Sequence, residues 1–185
     1  DTVDYSDVSA GFGLVIDLTA GQAYDAADSL GPWINLDTLS GIENVIGGAG
    51  DDIIIGSDGD NILDGGAGDD FVEGGYGDDV LIGGTGNNIL AGGHGDDVAR
   101  FDGQLADFDF QVVGDEFVVV DRDTGDTTAL RGIEELIFAE NSVEQSLSVI
   151  EMSAVEDEAI IINILDVVDV NAETTSVTVD GFPEG

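Results

Sequence analysis

The stretch GGAGDDFVEGGYGDDVLIGG, residues 65–84, spaces its glycines and aspartates by nine. Strands seldom contain this much glycine, and helices contain less. The period extends in both directions. Six nine-residue units fill residues 47–100 with no insertion: GGAGDDIII, GSDGDNILD, GGAGDDFVE, GGYGDDVLI, GGTGNNILA and GGHGDDVAR. Seventeen of the 28 glycines lie in these 54 residues, so glycine is a property of the repeat and not of a generally flexible chain.

Position eight of each unit is apolar: Ile54, Leu63, Val72, Leu81, Leu90 and Ala99. One apolar residue per unit, always in the same place, predicts a stacked solenoid core. Each unit alone supplies a strand of about three residues and buries too little to fold by itself. Position seven is apolar as well (Ile53, Ile62, Phe71, Val80, Ile89, Val98). By two-residue alternation it lies on the opposite, outer face, where ladders of β-branched residues across neighbouring strands are expected. Position six reads Asp52, Asn61, Asp70, Asp79, Asn88, Asp97. Stacking brings these carboxylates together, and like charges that close require a counter-ion. Position five is acidic in five units (Asp51, Asp60, Asp69, Asp78, Asp96) and is expected to face solvent.

Composition narrows the partners. Forty-one acidic residues face three basic ones, Arg100, Arg122 and Arg131, for a formal net charge of −38. Such a surface repels nucleic acid and anionic membranes. Yet 42% of the residues are hydrophobic, too many for a solvated acidic tail. The absence of cysteine removes disulfides and thiolate metal sites, and a single histidine leaves little for zinc or copper. Hard oxygen donors at flexible spacing suit Ca²⁺ better than Mg²⁺. No apolar run approaches the ~20 residues of a membrane helix, so no membrane insertion is expected. The chain opens at Asp1, without an initiator methionine, and is read as a piece of a longer polypeptide.

The six units closely resemble the RTX (repeats-in-toxin) nonapeptide, GGxGxDxUx, whose fold is a calcium-binding parallel β-roll. The resemblance implies an all-β architecture in which successive units lie on opposite sides and calcium sits between loops eighteen residues apart. It further implies that one loop gives the carbonyls of positions two and four with its aspartate, and the next gives those of positions one and three with its own. Carried onto this chain, the first set is Gly48, Gly50, Asp52, Gly65, Ala67 and Asp70. The second, on the other side, is Ser57, Gly59, Asn61, Gly74, Tyr76 and Asp79. The third is Gly66, Gly68, Asp70, Gly83, Thr85 and Asn88, and the fourth is Gly75, Gly77, Asp79, Gly92, His94 and Asp97. About four ions follow, with more possible at the ends. Asn61 and Asn88 depart from the motif and remove one negative charge from their sites, which weakens them. Ser57 stands where a glycine is expected.

The flanks resemble each other. TLSGIENVI (38–46) aligns with ALRGIEELI (129–137), and a strand-like piece precedes each: GLVIDLTAG and EFVVVDRDTG. Solenoids need atypical end units, so residues 1–46 and 101–141 are expected to be β-rich caps around a roll of residues 47–100. Glu43 falls at position six of the first flank. Trp33 is expected in the cap core, and DRDTGD (121–126) is expected to be a hairpin turn. Residues 142–185 resemble the opening strands of a cadherin-like or bacterial immunoglobulin-like repeat, forming a linker and the start of a β-sandwich.

Catalysis is not expected within the chain. One histidine, in a repeat loop, and no lysine or cysteine leave no nucleophile–base pair. Carboxylate pairs alone would allow a glycosidase, but their period argues for ligation. An ice-binding face would need a rank of threonines, and the loops hold only Thr85. The expected function is a calcium-binding structural segment of a large surface adhesin. The resemblance implies export by the type I secretion machinery, folding on calcium outside the cell, and contacts with other domains of the same polypeptide. The alternative is a non-catalytic accessory region of a secreted enzyme such as a protease, lipase, peroxidase or polyuronate epimerase.

Overall fold

The computed structural model describes residues 1–9, 13–25, 37–114, 116–140, 143–149 and 164–167. The N-terminal flank supplies β1 (Thr2–Asp4), β2 (Leu14–Asp17), β3 (Gln22–Asp25), β4 (Asp37–Thr38) and β5 (Asn44–Ile46). Each nonapeptide then gives one strand: β6 (Ile53–Ile55), β7 (Ile62–Asp64), β8 (Phe71–Tyr76), β9 (Val80–Ile82), β10 (Asn88–His94) and β11 (Val98–Asp102). A single 3-10 turn (Leu105–Asp107) leads to β12 (Phe108–Val113), β13 (Glu116–Asp121), β14 (Thr127–Arg131), β15 (Glu135–Glu140), β16 (Val143–Val149) and β17 (Ile164–Val167). No α-helix occurs among the described residues, and the architecture is all-β.

Consecutive units alternate between two sheets. One is ordered β1-β5-β7-β9-β11-β15-β16-β17 and the other β12-β13-β14-β10-β8-β6-β2-β3-β4. Each repeat strand therefore pairs in parallel with the strand two units away, eighteen residues along: Ile54 with Val72, Val72 with Leu90, Leu63 with Leu81, and Leu81 with Ala99. This is the coil of a parallel β-roll. In the second sheet β8 and β10 exceed three residues, because their pairing runs on through Gly75 with Gly93 and Tyr76 with His94.

The pleat sorts the side chains as the period predicts. Position eight is fully buried in all six units, position six is buried, and position seven lies outside, with Ile53 and Ile62 exposed. The buried column does not stop at the repeat. Ile16 pairs over Ile54, Val45 over Leu63, Leu130 over Leu90, and Leu136 over Ala99. Beyond it, Phe101, Phe108, Phe110, Phe117 and Phe138 pack ring against ring in the C-terminal flank. Leu14 through Phe138 form one hydrophobic cluster.

Both flanks lend strands to both sheets, but not identically. GLVIDLTAG holds β2, which lies directly against the roll, with β3 and β4 outside it. In EFVVVDRDTG the strand β13 lies one place out, and β14 makes the contact with the roll. DRDTGD is the β13–β14 turn, with Asp121 Oδ1 accepting the Asp123 and Thr124 N–H groups. Trp33, residues 150–163 and residues 168–185 lie outside the described residues.

Candidate metal centre

The first six residues of each unit form the loop that joins strands of opposite sheets, and loops on one side stack at intervals of eighteen. The glycines reveal which way the loop carbonyls point. A Cβ at Gly66, Gly84 or Gly93 would lie 2.3, 1.8 or 2.3 Å from the carbonyl oxygen of Gly48, Gly66 or Gly75 in the preceding loop. At Gly68, Gly86 and Gly95 the corresponding distances to Gly50, Gly68 and Gly77 are 2.4, 2.2 and 1.9 Å. Carbonyls of positions two and four thus point forward. Position one points back: a Cβ at Gly47 or Gly56 would lie 2.2 or 2.1 Å from the oxygen of Gly65 or Gly74. Position three also points back, since the Gly68 and Gly77 N–H groups donate to the Thr85 and His94 carbonyls, both at 3.0 Å. In the third and fourth gaps, therefore, carbonyls two and four of one loop face carbonyls one and three of the next; in the second, the Gly59 carbon and the Asp60 nitrogen, not the Gly59 oxygen, lie nearest a Gly77 Cβ. Glycine is required because side chains would occupy the space of these oxygens, and at Gly66 (φ +97°) and Gly84 (φ +80°) the backbone itself disfavours a Cβ. Ser57 escapes the first constraint because no repeat loop precedes it on its side. Its own carbonyl points forward like the others, 2.7 Å from where a Gly75 Cβ would lie.

Position six builds a ladder along each side. The N–H groups of Asp52, Asn61, Asp70 and Asp79 donate to Oδ1 of Asp70, Asp79, Asn88 and Asp97, at 2.7–2.9 Å. The second oxygens differ. Oδ2 of Asp70, Asp79 and Asp97 is buried and has no hydrogen-bond partner. Buried polar atoms are seldom left so, and an unpaired buried carboxylate is costly.

Asn88 shows what that oxygen faces. Its amide nitrogen occupies the same place against the first glycine of its loop, 2.8 Å from a Cβ at Gly83, where Oδ2 of Asp70, Asp79 and Asp97 lies 2.5, 2.2 and 2.4 Å from a Cβ at Gly65, Gly74 and Gly92. From there the amide donates to the carbonyls of Gly84 and Gly86, positions two and four, at 3.4 and 3.3 Å. In the loops of Asp70, Asp79 and Asp97 an unpaired oxygen replaces this donor, beside a position-two carbonyl whose hydrogen comes from the next loop, as the Thr85 N–H donates to the Gly66 carbonyl. A hard cation meets that arrangement. Burial pushes the Asp70 carboxyl up to about 7 and the Asp79 carboxyl up to about 6, despite a backbone hydrogen bond to each; neighbouring carboxylates add to the rise. Burial raises Asp52 and Asp97 in the same direction.

The expected ligand sets differ in how much they leave unpaired. Around the first gap, Asp52 Oδ1 accepts the Leu14 N–H and Oδ2 accepts the Gly48 N–H, at 2.7 and 2.8 Å. Around the second, Asn61 Oδ1 accepts the Ser57 N–H and its amide donates to the Glu43 carbonyl, both at 2.7 Å. The third and fourth gaps contain Asp70 and Asp79 with their unpaired oxygens. Tyr76 and His94 offer only carbonyls, because their rings stack on the exterior with centroids 4.8 Å apart. Among the described residues no three His, Cys, Asp or Glu side chains converge on one point, so a cation here relies on main-chain oxygens. Of the three arginines, Arg122 pairs with Asp109 and Arg131 with Glu116 in the C-terminal flank, while Arg100, at the end of the last unit, lies near Asp64.

Position five is exposed as expected, but it is not idle. Asp51, Asp60, Asp69 and Asp78 each accept, through Oδ1, the N–H of the position-five residue eighteen on, at 2.8–3.0 Å. The two aspartates of each Asp-Asp pair thus tie the loop in opposite directions. Sequence reasoning also missed Glu134. It stands opposite Asp97 in the strand register, beside the pair Val98–Glu135, and its Oε2 accepts the Asp97 N–H at 2.8 Å. Its match to Glu43 in the flank alignment was the available signal.

Strands alternating between two parallel sheets, joined by stacked glycine-aspartate loops, define a parallel β-roll of nonapeptides with convergent oxygen sites. The RTX calcium-binding nonapeptide repeat (4 copies) matches residues 37–72 and 73–103; residues 37–103 are RTX calcium-binding repeats, a structural and non-catalytic element. Among solved structures, the chain is similar to the extracellular lipase LipA from Serratia marcescens, at 30% identity and a TM-score of 0.48, over 61% of this chain and 18% of the lipase. The chain thus spans under a fifth of that protein's length. No curated protein matches it.

Proposed function

We propose that the repeat holds calcium in the gaps between loops eighteen residues apart, and that this closes a secreted β-roll which repels itself without the metal. The observation that carries the proposal is the set of buried, unpaired Oδ2 atoms of Asp70, Asp79 and Asp97, each in the place from which the Asn88 amide donates to two carbonyls of its own loop. The ligand sets proposed are those named above by residue, from Gly48, Gly50, Asp52, Gly65, Ala67 and Asp70 through to Gly75, Gly77, Asp79, Gly92, His94 and Asp97. Bound calcium would supply positive charge between loops that have none of their own. Asp70 and Asp79 would each serve two gaps, Oδ1 turned back and Oδ2 forward. Residues 1–46 and 101–141 would act as caps, extending both sheets past the roll.

At the level of the whole protein, the segment would belong to a large adhesin exported by a type I system and folded outside the cell. The resemblance of residues 142–185 to an adhesin repeat supports that choice over an enzyme's accessory region. The test is a calcium titration of the full chain by circular dichroism. The β-signal and thermal midpoint should rise cooperatively with calcium in the range of roughly 10⁻⁴ to 10⁻³ M typical of extracellular modules. A chain equally folded in chelator and in calcium would overturn the proposal.

A further inference from the structure

We infer that one calcium column runs past the last repeat into the C-terminal flank, with Glu134 as its terminal carboxylate, whereas the other column ends at Asn88. This rests on the calcium reading of the roll and adds a site that no nonapeptide pair supplies. The last loop of the Asp79–Asp97 side is residues 92–97. Asp97 is fully buried, and its Oδ2 has no partner. No further repeat stacks on that loop, but the flank imitates one. The Gly132 carbonyl points back as a position-one carbonyl does, 2.1 Å from where a Gly92 Cβ would lie. Gly132 itself (φ +57°) sits over Gly93, with its Cβ position 3.7 Å from the Gly93 oxygen. Glu134 takes the place of a position-six aspartate, accepting the Asp97 N–H at 2.8 Å. The Asp97 carbonyl in turn accepts the Glu134 and Glu135 N–H groups at 3.0 and 3.1 Å, as the Asp79 carbonyl accepts that of Val98 at 2.8 Å.

The gap thus offers Asp97 Oδ2, the carbonyls of Gly93 and Gly95, the Gly132 carbonyl and the Glu134 carboxylate. Two carboxylates and three carbonyls, completed by water, fall within the six to eight oxygens that calcium takes. The opposite side is closed differently. There the Asn88 amide donates to the Gly84 and Gly86 carbonyls, and Asp126 Oδ2 accepts the Gly86 N–H at 3.1 Å. Hydrogens fill the place that the Asp97 side leaves to a cation.

The test is Glu134→Gln in the full chain. Glutamine keeps an acceptor for the Asp97 N–H, so the midpoint in chelator should stay within experimental error of the parent. Bound calcium, counted by equilibrium dialysis, should fall by one ion per chain. If the ion persists, its dissociation constant should rise roughly 10- to 100-fold, as expected from loss of a charge-assisted ligand. Glu134→Asp retains the charge and should restore part of that loss, which a purely structural role would not require. Glu43→Gln, at the matching place in the other flank, should leave the count unchanged, since its carboxylate is exposed. Equal counts and equal affinities for the parent and Glu134→Gln would overturn the site. A parent chain that bound no calcium would instead refute the reading of the roll.

Discussion

Replacing Asp79 with asparagine should change stability in opposite directions with and without calcium. The substitution copies what Asn88 already does one column across. Without metal, the buried Asp79 Oδ2 has no partner, a deficit of about 1–3 kcal/mol for a polar group and more for a charged one. An amide in its place would donate to the Gly75 and Gly77 carbonyls, as Asn88 donates to Gly84 and Gly86. The calcium-free chain should therefore gain about 1–3 kcal/mol, or roughly 3–15 °C in midpoint for a β-domain of this size. With calcium the sign reverses. Asp79 lies between two gaps, and each site at 100-fold excess over its dissociation constant contributes ~2.7 kcal/mol by linkage. Loss of a charged ligand shared by both would remove up to ~5 kcal/mol, well beyond the gain. The assay is paired thermal unfolding by circular dichroism, in chelator and in saturating calcium, with an excluded osmolyte in both to bring the calcium-free fold within range. An Asp79→Asn variant that lost as much stability in chelator as in calcium would refute the idea that this oxygen is an uncompensated burden in the metal-free fold.

Three further outcomes follow from the same geometry. The calcium-free chain should lose stability between about pH 4 and 7: Asp70 and Asp79 titrate near 7 and 6 when folded, so the folded chain keeps protons that the unfolded chain releases, and the contribution present in acid disappears as pH rises through those values; a flat pH profile of the midpoint in chelator would contradict this. Asp69→Ala should cost about 1 kcal/mol, because Asp69 accepts the Asn87 N–H, yet leave the calcium count unchanged, whereas Asp70→Ala should alter both in a dialysis experiment. Leu81→Ala should cost about 2–5 kcal/mol by chemical denaturation in calcium, since Leu81 is fully buried between Leu63 and Ala99.

The legible part of this protein is what depends on period. Nine-residue spacing placed Ile54 through Ala99 in the core and put positions six and seven on opposite faces, because a strand has no freedom to do otherwise. Asp69 and Asp70 are adjacent and chemically identical, so the sequence alone suggested one ligand and one solvated neighbour. Their opposed hydrogen bonds arise from the pleat, which turns one along the column and the other against it. The direction of each carbonyl is invisible in sequence, since every residue has one; only the stacked backbone shows that positions two and four face positions one and three. Glu134 was hidden for another reason. The chain leaves the roll after Arg100, builds β12, β13 and β14, and returns 37 residues after Asp97, so the spacing that identifies every other position-six residue is broken.

The unpaired oxygens are unevenly distributed, and that distribution bears on why asparagine occurs where it does. Asp52 and Asn61 open the two columns, and both have their polar atoms supplied by N–H groups or carbonyls of the chain. Asp70, Asp79 and Asp97 occupy the later loops and do not. Demand for a cation therefore rises toward the C-terminal half of the roll and the Asp97–Glu134 junction. Asn88 interrupts it on one side only, in the loop where the flank offers Asp126 to an N–H group and no glutamate to a cation. An aspartate at 88 would add a fourth buried unpaired oxygen at an end where the flank carboxylate, Asp126, already accepts the Gly86 N–H. An asparagine there removes the need for the ion, while its Oδ1 still accepts the Asp70 N–H and keeps the ladder intact. Both asparagines thus stand in loops with no full repeat on one side, and the two loops with a repeat on both sides keep Asp70 and Asp79; the aspartates of the other two end loops are served by the flanks, Asp52 through the Leu14 N–H and Asp97 through Glu134.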